Sequence, residues 1–159
     1  MLKTLTTVAS VALPIEERWS IKRCRYAPDG SSVGRVCIAA GTHGDEMMGQ
    51  LIIYLVQQRI GEHPDALRGT VDFYPMLNPL GLDIGERLVP SGTRLDMNRA
   101  FPGSPNGTPL EYMCHQVIQD MRGADLVLDL HASARNKSEL YEVRVSAKEA
   151  ERLLPRVRA

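Results

Sequence analysis

The stretch CIAAGTHGDEMMG, residues 37–49, sets a histidine and a glutamate three residues apart where an apolar run stops. His43 falls where a buried strand would end and Glu46 in the first turn of the helix that would follow. Both can then aim into one crevice at a strand's carboxyl end, where open α/β sheets hold their ligands. An imidazole and a carboxylate are ligands for a single metal ion, and one more ligand would complete a catalytic set. The segment LVLDLHAS offers it, because a second apolar run ends on His131. If the two strands are parallel neighbours, their ends meet. His43, Glu46 and His131 would then form the His2Glu set used by catalytic zinc, with a position left open for water. Asp129, two residues before His131, shares its face of the strand and is placed to accept a proton from a ring nitrogen, orienting the ligand. His115, in mid-helix, and His63, in a turn before Pro64, read as structural or solvated. For the His43–Glu46 pair alone a plain alternative stays open: a glycine-rich turn followed by an acid that the helix dipole favours. GTHGDE is not a phosphate-binding P-loop, since the closing Gly-Lys-Ser/Thr is absent.

Several elements must position these residues. WSIKRCRYA alternates as a strand, PDGSSVG supplies turn residues, and RVCIAA reads as a more buried strand. Residues 45–60 predict a helix with one apolar face, since Met48, Leu51, Ile52, Leu55, Val56 and Ile60 recur at spacings of three and four. TVDFYPML, residues 70–77, is strand-like, with Pro75 taking its last residues out of the ladder. Residues 78–107 form a long loop rich in Gly, Pro, Arg and Asp, a length that marks a functional segment and carries Arg87, Arg94 and Arg99. Residues 109–122 predict a helix, ADLVLDLHAS a buried strand, YEVRV a short strand, and SAKEAERLLPRV a serine-capped helix interrupted by Pro155. Strand alternating with helix implies an α/β sheet covered by helices, in one domain over residues 1–159.

Composition narrows the partners. Lys plus Arg and Asp plus Glu each number 19, so no bulk charge attracts nucleic acid or an anionic membrane. With 43% hydrophobic residues in 159, the chain has the makings of an ordinary globular core. The 3 cysteines, Cys24, Cys37 and Cys114, lack zinc-finger or CxxC spacing, which favours reduced thiols and a cytoplasmic location. Cys37 reads as plain core. MLKTLTTVASVALP is too rich in threonine and serine for an export leader, and no run approaches the roughly 20 apolar residues that span a bilayer. Self-association is left open.

The loop NPLGLDIGERLVPSGTRLDMNRAFPG, residues 78–103, together with GTHGDE and DLHAS in the same order, resembles the zinc-dependent succinylglutamate desuccinylase and aspartoacylase family, relatives of the zinc carboxypeptidases. The resemblance implies a three-layer α/β/α fold with a mostly parallel or mixed central sheet, of the zinc carboxypeptidase type, here its amino-terminal part. It implies one Zn2+ held by His43, Glu46 and His131, in agreement with the set read from the residues. Asn98 and Arg99, in DMNR, match the pair that holds the substrate's carboxylate, a task suited to a planar guanidinium. Arg87, in GER, matches the arginine that polarises the scissile carbonyl, and Asp96 the carboxylate that orients a zinc-bound histidine. Arg94 reads as a solvated surface charge. The implied reaction is hydrolysis of the amide bond of an N-acyl amino acid or similar small carboxylate, with a carboxypeptidase-like peptidase or a non-catalytic carboxylate-binding protein as alternatives. In the family the general base is a glutamate well beyond the third ligand. Glu139, Glu142, Glu149 and Glu151 stand in no such motif, so the base is expected beyond residue 159 and this segment alone is expected to be a poor catalyst.

Overall fold

A computed structural model describes residues 1–90 and 94–132. Its opening element, Leu2–Ala12 (β1), pairs antiparallel with Arg18–Ala27 (β2) along their whole length, from Leu2 opposite Ala27 to Ala12 opposite Arg18. The run weighed above as a leader is therefore a sheet strand, one whose threonines suit a half-exposed pleated surface. There follow Arg35–Ala40 (β3), Met48–Glu62 (α1), Thr70–Tyr74 (β4), Pro79–Ile84 (α2), Met97–Ala100 (α3), Pro109–Met121 (α4) and Leu126–Leu130 (β5). Among the described residues the strands form one five-stranded sheet in the order β1-β2-β4-β3-β5. β3 runs parallel to both β4 and β5, while β2 opposes β1 and β4, so the sheet is mixed. Pro75 ends β4, as its missing N–H requires, and the predicted strand closes before Leu77.

Alternation along the strands sends side chains into two separate cores. Cys37, Ala39 and Tyr74 join the core under α4, together with Leu110, Met113, Cys114 and Val117. Ala40 and Phe73, one residue out of phase with these, join Ile53 of α1 in a second core. Helices on both faces make the α/β/α layering expected from the sequence. The start of α4 is well specified: Thr108 and Glu111 cap each other's backbone N–H groups in a capping box, and Pro109 fills the first turn.

Three expectations change. The apolar stripe of α1 does not face the sheet: within the helix only Gly49 and Ile53 are buried, while Leu51 and Leu55 are 48% and 56% exposed. The helix is turned by Gly49, where a methyl group would lie 2.8 Å from Ala40 Cβ and 3.2 Å from Leu130 Cβ. That close approach requires glycine, and it brings Ile53, one turn on, to the sheet. β5, expected as a buried strand, is largely exposed, with Val127 at 48%, and lies at the end of the sheet formed by the described residues. The predicted loop over residues 78–107 contains α2 and α3. The expected YEVRV strand and SAKEAERLLPRV helix lie outside the described residues. No helix among the described residues is long and apolar enough to cross a membrane.

Away from the strand ends, Asp72 on β4 is fully buried and bridges Arg25 on β2 and Arg35 on β3, each at 2.6 Å. Burial pushes its carboxyl up, yet the two guanidiniums hold it below the ordinary range. Asp120 of α4 accepts hydrogen bonds from Arg23 and from the Tyr74 hydroxyl, both at 2.7 Å, tying the helix to the same charged seam.

Candidate metal centre

The chain leaves β3 through Gly41, whose φ of 69° is open to glycine and costly for other residues. Its carbonyl accepts from Asn78 N at 2.7 Å and that of Ala40 from Leu77 N at 3.1 Å, so the segment after β4 holds this turn. His43 and Glu46 follow, 1% and 4% exposed. Glu46 lies in a turn closed by its own N–H to the His43 carbonyl, ahead of α1 rather than within its first turn. The parallel register of β3 and β5 pairs Ala40 with Leu130, which brings the carboxyl ends of the strands together and sets His131 beside His43. Their ring centroids are 5.0 Å apart.

Glu46 stands between the two imidazoles. Its Oε1 lies 2.8 Å from His43 Nδ1 and its Oε2 3.0 Å from His131 Nδ1. The Ala132 N–H donates to Oε2 at 2.9 Å, and Arg87 Nη1 to Oε1 at 2.7 Å. Burial pushes the Glu46 carboxyl up, but Ala132, the two histidines and Arg87 together hold it below its usual value, so it is an anion. Each histidine turns its other nitrogen to a further carboxylate: His43 Nε2 lies 3.2 Å from Asp96 Oδ1, and His131 Nε2 lies 2.9 Å from Asp129 Oδ2. Hydrogen bonding to Asp129 raises the pKa of His131, against the effect of burial.

This donor set fits a metal ion. Protonation of each imidazole at Nε2, toward its carboxylate partner, would leave the Nδ1 lone pairs to a cation placed between the rings and Glu46. One ligand atom from each of His43, Glu46 and His131 lies within 4.8 Å of the others. Two imidazoles and a carboxylate suit zinc.

The other residues singled out from the sequence fall at varying distances from this cluster. Asp96 caps α3, accepting from Asn98 N at 2.9 Å with the same oxygen that faces His43. Asn98 and Arg99 therefore follow directly on a residue in contact with His43, and both are exposed. Arg94 is an exposed surface charge 3.5 Å from Glu86. His63 ends α1 and His115 lies within α4; neither joins the cluster. Glu139, Glu142, Glu149 and Glu151 are outside the described residues. Sequence reasoning missed Ala132, which acts through its backbone N–H and carries no side-chain signal. It also missed Thr42, whose hydroxyl lies 3.5 Å from Asp129, and the capping role of Asp96. A cavity of about 610 Å³ opens against Glu46 and Ala132, walled by the start of α1.

The family model of the succinylglutamate desuccinylase/aspartoacylase catalytic domain matches residues 32–158. The chain is 32% identical over 101 residues to an N-alpha-acetyl-L-2,4-diaminobutyric acid deacetylase of Halomonas elongata, a match covering 62% of the chain and 28% of the deacetylase. Its fold is similar to a succinylglutamate desuccinylase/aspartoacylase structure from Rhodobacter sphaeroides, with a TM-score of 0.71 and 26% identity over 83% of this chain and 40% of that one. A metallo-carboxypeptidase from Burkholderia cenocepacia shares the fold at a TM-score of 0.64 and 18% identity, over 82% of this chain and 36% of its own. The chain thus spans less than half the length of each of these relatives. A match that runs through GTHGDE, the NPLG to DMNR segment and DLHAS, on a carboxypeptidase-like fold, makes the chain a member of the succinylglutamate desuccinylase/aspartoacylase family.

Proposed function

We infer that the chain carries the metal-binding part of a zinc-dependent amidohydrolase that removes the acyl group from an N-acyl amino acid or similar small carboxylate. The observation that carries this reading is the convergence of His43 Nδ1, His131 Nδ1 and the Glu46 carboxylate at the adjoining ends of β3 and β5. Zinc held there would supply the Lewis acidity that activates water and polarises an acyl oxygen near neutral pH. The remaining tasks fall to the chain's own side chains. Asp96 and Asp129 hold the Nε2 protons and so fix which nitrogen each imidazole offers. Arg87, beside Glu46, donates toward the acyl oxygen as negative charge develops on it. Asn98 and Arg99, on the helix that Asp96 starts, hold the substrate carboxylate through a forked hydrogen bond. The proton-accepting base is assigned to a glutamate outside the described residues.

The name of the Halomonas relative supports the substrate class and suggests N-acetyl-2,4-diaminobutyrate as a first trial compound. The three cysteines, all buried thiols without disulfides, agree with a reducing, cytoplasmic setting.

Zinc per chain, measured by elemental analysis on protein purified without a metal-affinity tag, tests the centre; close to one supports it and none after adding zinc back overturns it. Hydrolysis of N-acetyl and N-succinyl amino acids set against a short peptide then tests the reaction. Release of the acyl group from the small amides supports the deacylase reading. Turnover of the peptide alone would favour a carboxypeptidase-like enzyme, and tight carboxylate binding without hydrolysis by the full gene product a binding protein.

A further inference from the structure

Five polar or charged residues are buried among those described, and Asn78 belongs with the metal-site residues Thr42, His43 and Glu46 in that group. It is fully buried, its side-chain Nδ2 has no hydrogen-bond partner among the described residues, and no step of the proposed reaction uses it. Its other groups are all engaged. The backbone N–H bonds the Gly41 carbonyl at 2.7 Å, at the turn that leads into His43. The side-chain Oδ1 accepts from Gly81 N at 3.0 Å and caps α2. α2 ends at Gly85, φ 65°, and the Glu86 N–H returns to the Gly81 carbonyl at 2.8 Å, which delivers Arg87 to Glu46.

The two loops also touch backbone to backbone. A methyl group on Gly44 would overlap both the Gly81 and the Glu86 carbonyls, and one on Gly81 would overlap Asn78 Nδ2 and come within 2.8 Å of the Glu86 oxygen. Gly44, Gly81, Glu86 and the Asn78 amide therefore pack together where the loop that carries His43 and Glu46 meets the segment that leads to Arg87. An asparagine spans both loops because its backbone and its side chain act in different directions at once.

The geometry points to Asn78 as a positioning residue that sets Arg87 against the metal centre by locking α2 to the GTHGDE loop. This rests on the reading of Arg87 as the donor to a developing oxyanion. Asn78 is reached by its own contacts rather than by any contact with substrate, so its effect must pass through Arg87, and a double-mutant cycle reads that directly.

The test uses the zinc-loaded chain and methylphosphonate, an oxyanion that mimics the tetrahedral charge and is not turned over, with binding followed by calorimetry. Arg87→Ala should weaken binding about tenfold or more, the usual worth of a charged hydrogen bond. Asn78→Ala should weaken it about tenfold in the parent protein and leave it unchanged in the Arg87→Ala background. Zinc per chain should be the same in all of these proteins, and Asn78→Ser, which keeps a capping oxygen, should recover most of the lost affinity. If Asn78→Ala does not fold, Asn78→Ser and its combination with Arg87→Ala run the same cycle with smaller effects. Independent, multiplying losses in the double variant, or loss of zinc in the Asn78 variants, would overturn the inference while leaving Arg87 in its role. No effect of Arg87→Ala on phosphonate binding would instead overturn the reading of Arg87, and the inference with it.

Discussion

At His131 one imidazole meets two carboxylates, Glu46 through Nδ1 and Asp129 through Nε2. Removing the ring removes a ligand, so His131→Ala should abolish stoichiometric zinc, whereas His115→Ala, on α4 and outside the cluster, should leave zinc per chain unchanged. Asp129 acts one step further out. Without it the Nε2 proton loses its acceptor and the ring its fixed tautomer, so Asp129→Ala should weaken zinc binding about 10- to 100-fold, measured by competition with a chelator. Asp129→Asn, which keeps an accepting oxygen, should fall between that variant and the parent. Equal affinity in all three proteins would show that the hydrogen bond orients nothing. Asp96 differs in that its Oδ1 serves both His43 and the first turn of α3, so Asp96→Ala should weaken zinc and also free the backbone that carries Asn98 and Arg99.

Between elements, glycines set the spacing. Gly44→Ala would drive a methyl group into the Gly81 backbone, which has no flexible side chain to yield, so the loops must separate. It should cost about 3 kcal/mol or more in denaturant unfolding and lower zinc affinity as well, because the same loop carries His43 and Glu46. The orientation of α1 makes a different prediction. Ile53 is 1% exposed and Leu55 is 56% exposed, although both belong to the same apolar helix. Ile53→Ala should cost about 3 kcal/mol and Leu55→Ser less than about 0.5 kcal/mol in the chain as described. The reverse ranking would mean that α1 sits on the sheet by its apolar stripe after all.

Across the whole molecule, the candidate metal site lies at the carboxyl ends of β3 and β5 while the charged seam around Asp72 joins β2, β3 and β4. Asp72 is fully buried, so Asp72→Asn would leave Arg25 and Arg35 without their shared counter-charge, at a cost of about 3 kcal/mol, the lower end for buried pairs because both arginines are partly exposed. The sign of the pH effect follows from the direction of the shift. The folded carboxyl titrates below the ordinary aspartate value, held there by the two guanidiniums. Its contribution is therefore present above about pH 4 and is lost as the pH falls through the folded value. Denaturant unfolding at neutral pH and in acid should show the parent losing more stability than Asp72→Asn; parallel losses would remove Asp72 from the acid response.

The candidate metal-binding cluster was legible in the residues themselves. Two apolar runs ending on histidine, a glutamate three residues after the first and an aspartate two before the second specify donor types and local spacing, and local spacing is what a sequence records. The helix of α4 was equally plain, opened by Pro109 as read from the sequence, while its Thr108–Glu111 capping box came from the structure. Tertiary structure alone decided the rest. That β3 and β5 are neighbours is a pairing between residues about ninety positions apart, and only that pairing turns two histidines into one site. Periodicity in α1 showed which residues share a face but not which face meets the sheet; the close approach at Gly49 settled that in favour of Ile53. The Ala132 N–H on Glu46 and the packing of Gly44 on Gly81 involve backbone atoms, which every sequence contains and which only the folded chain brings together.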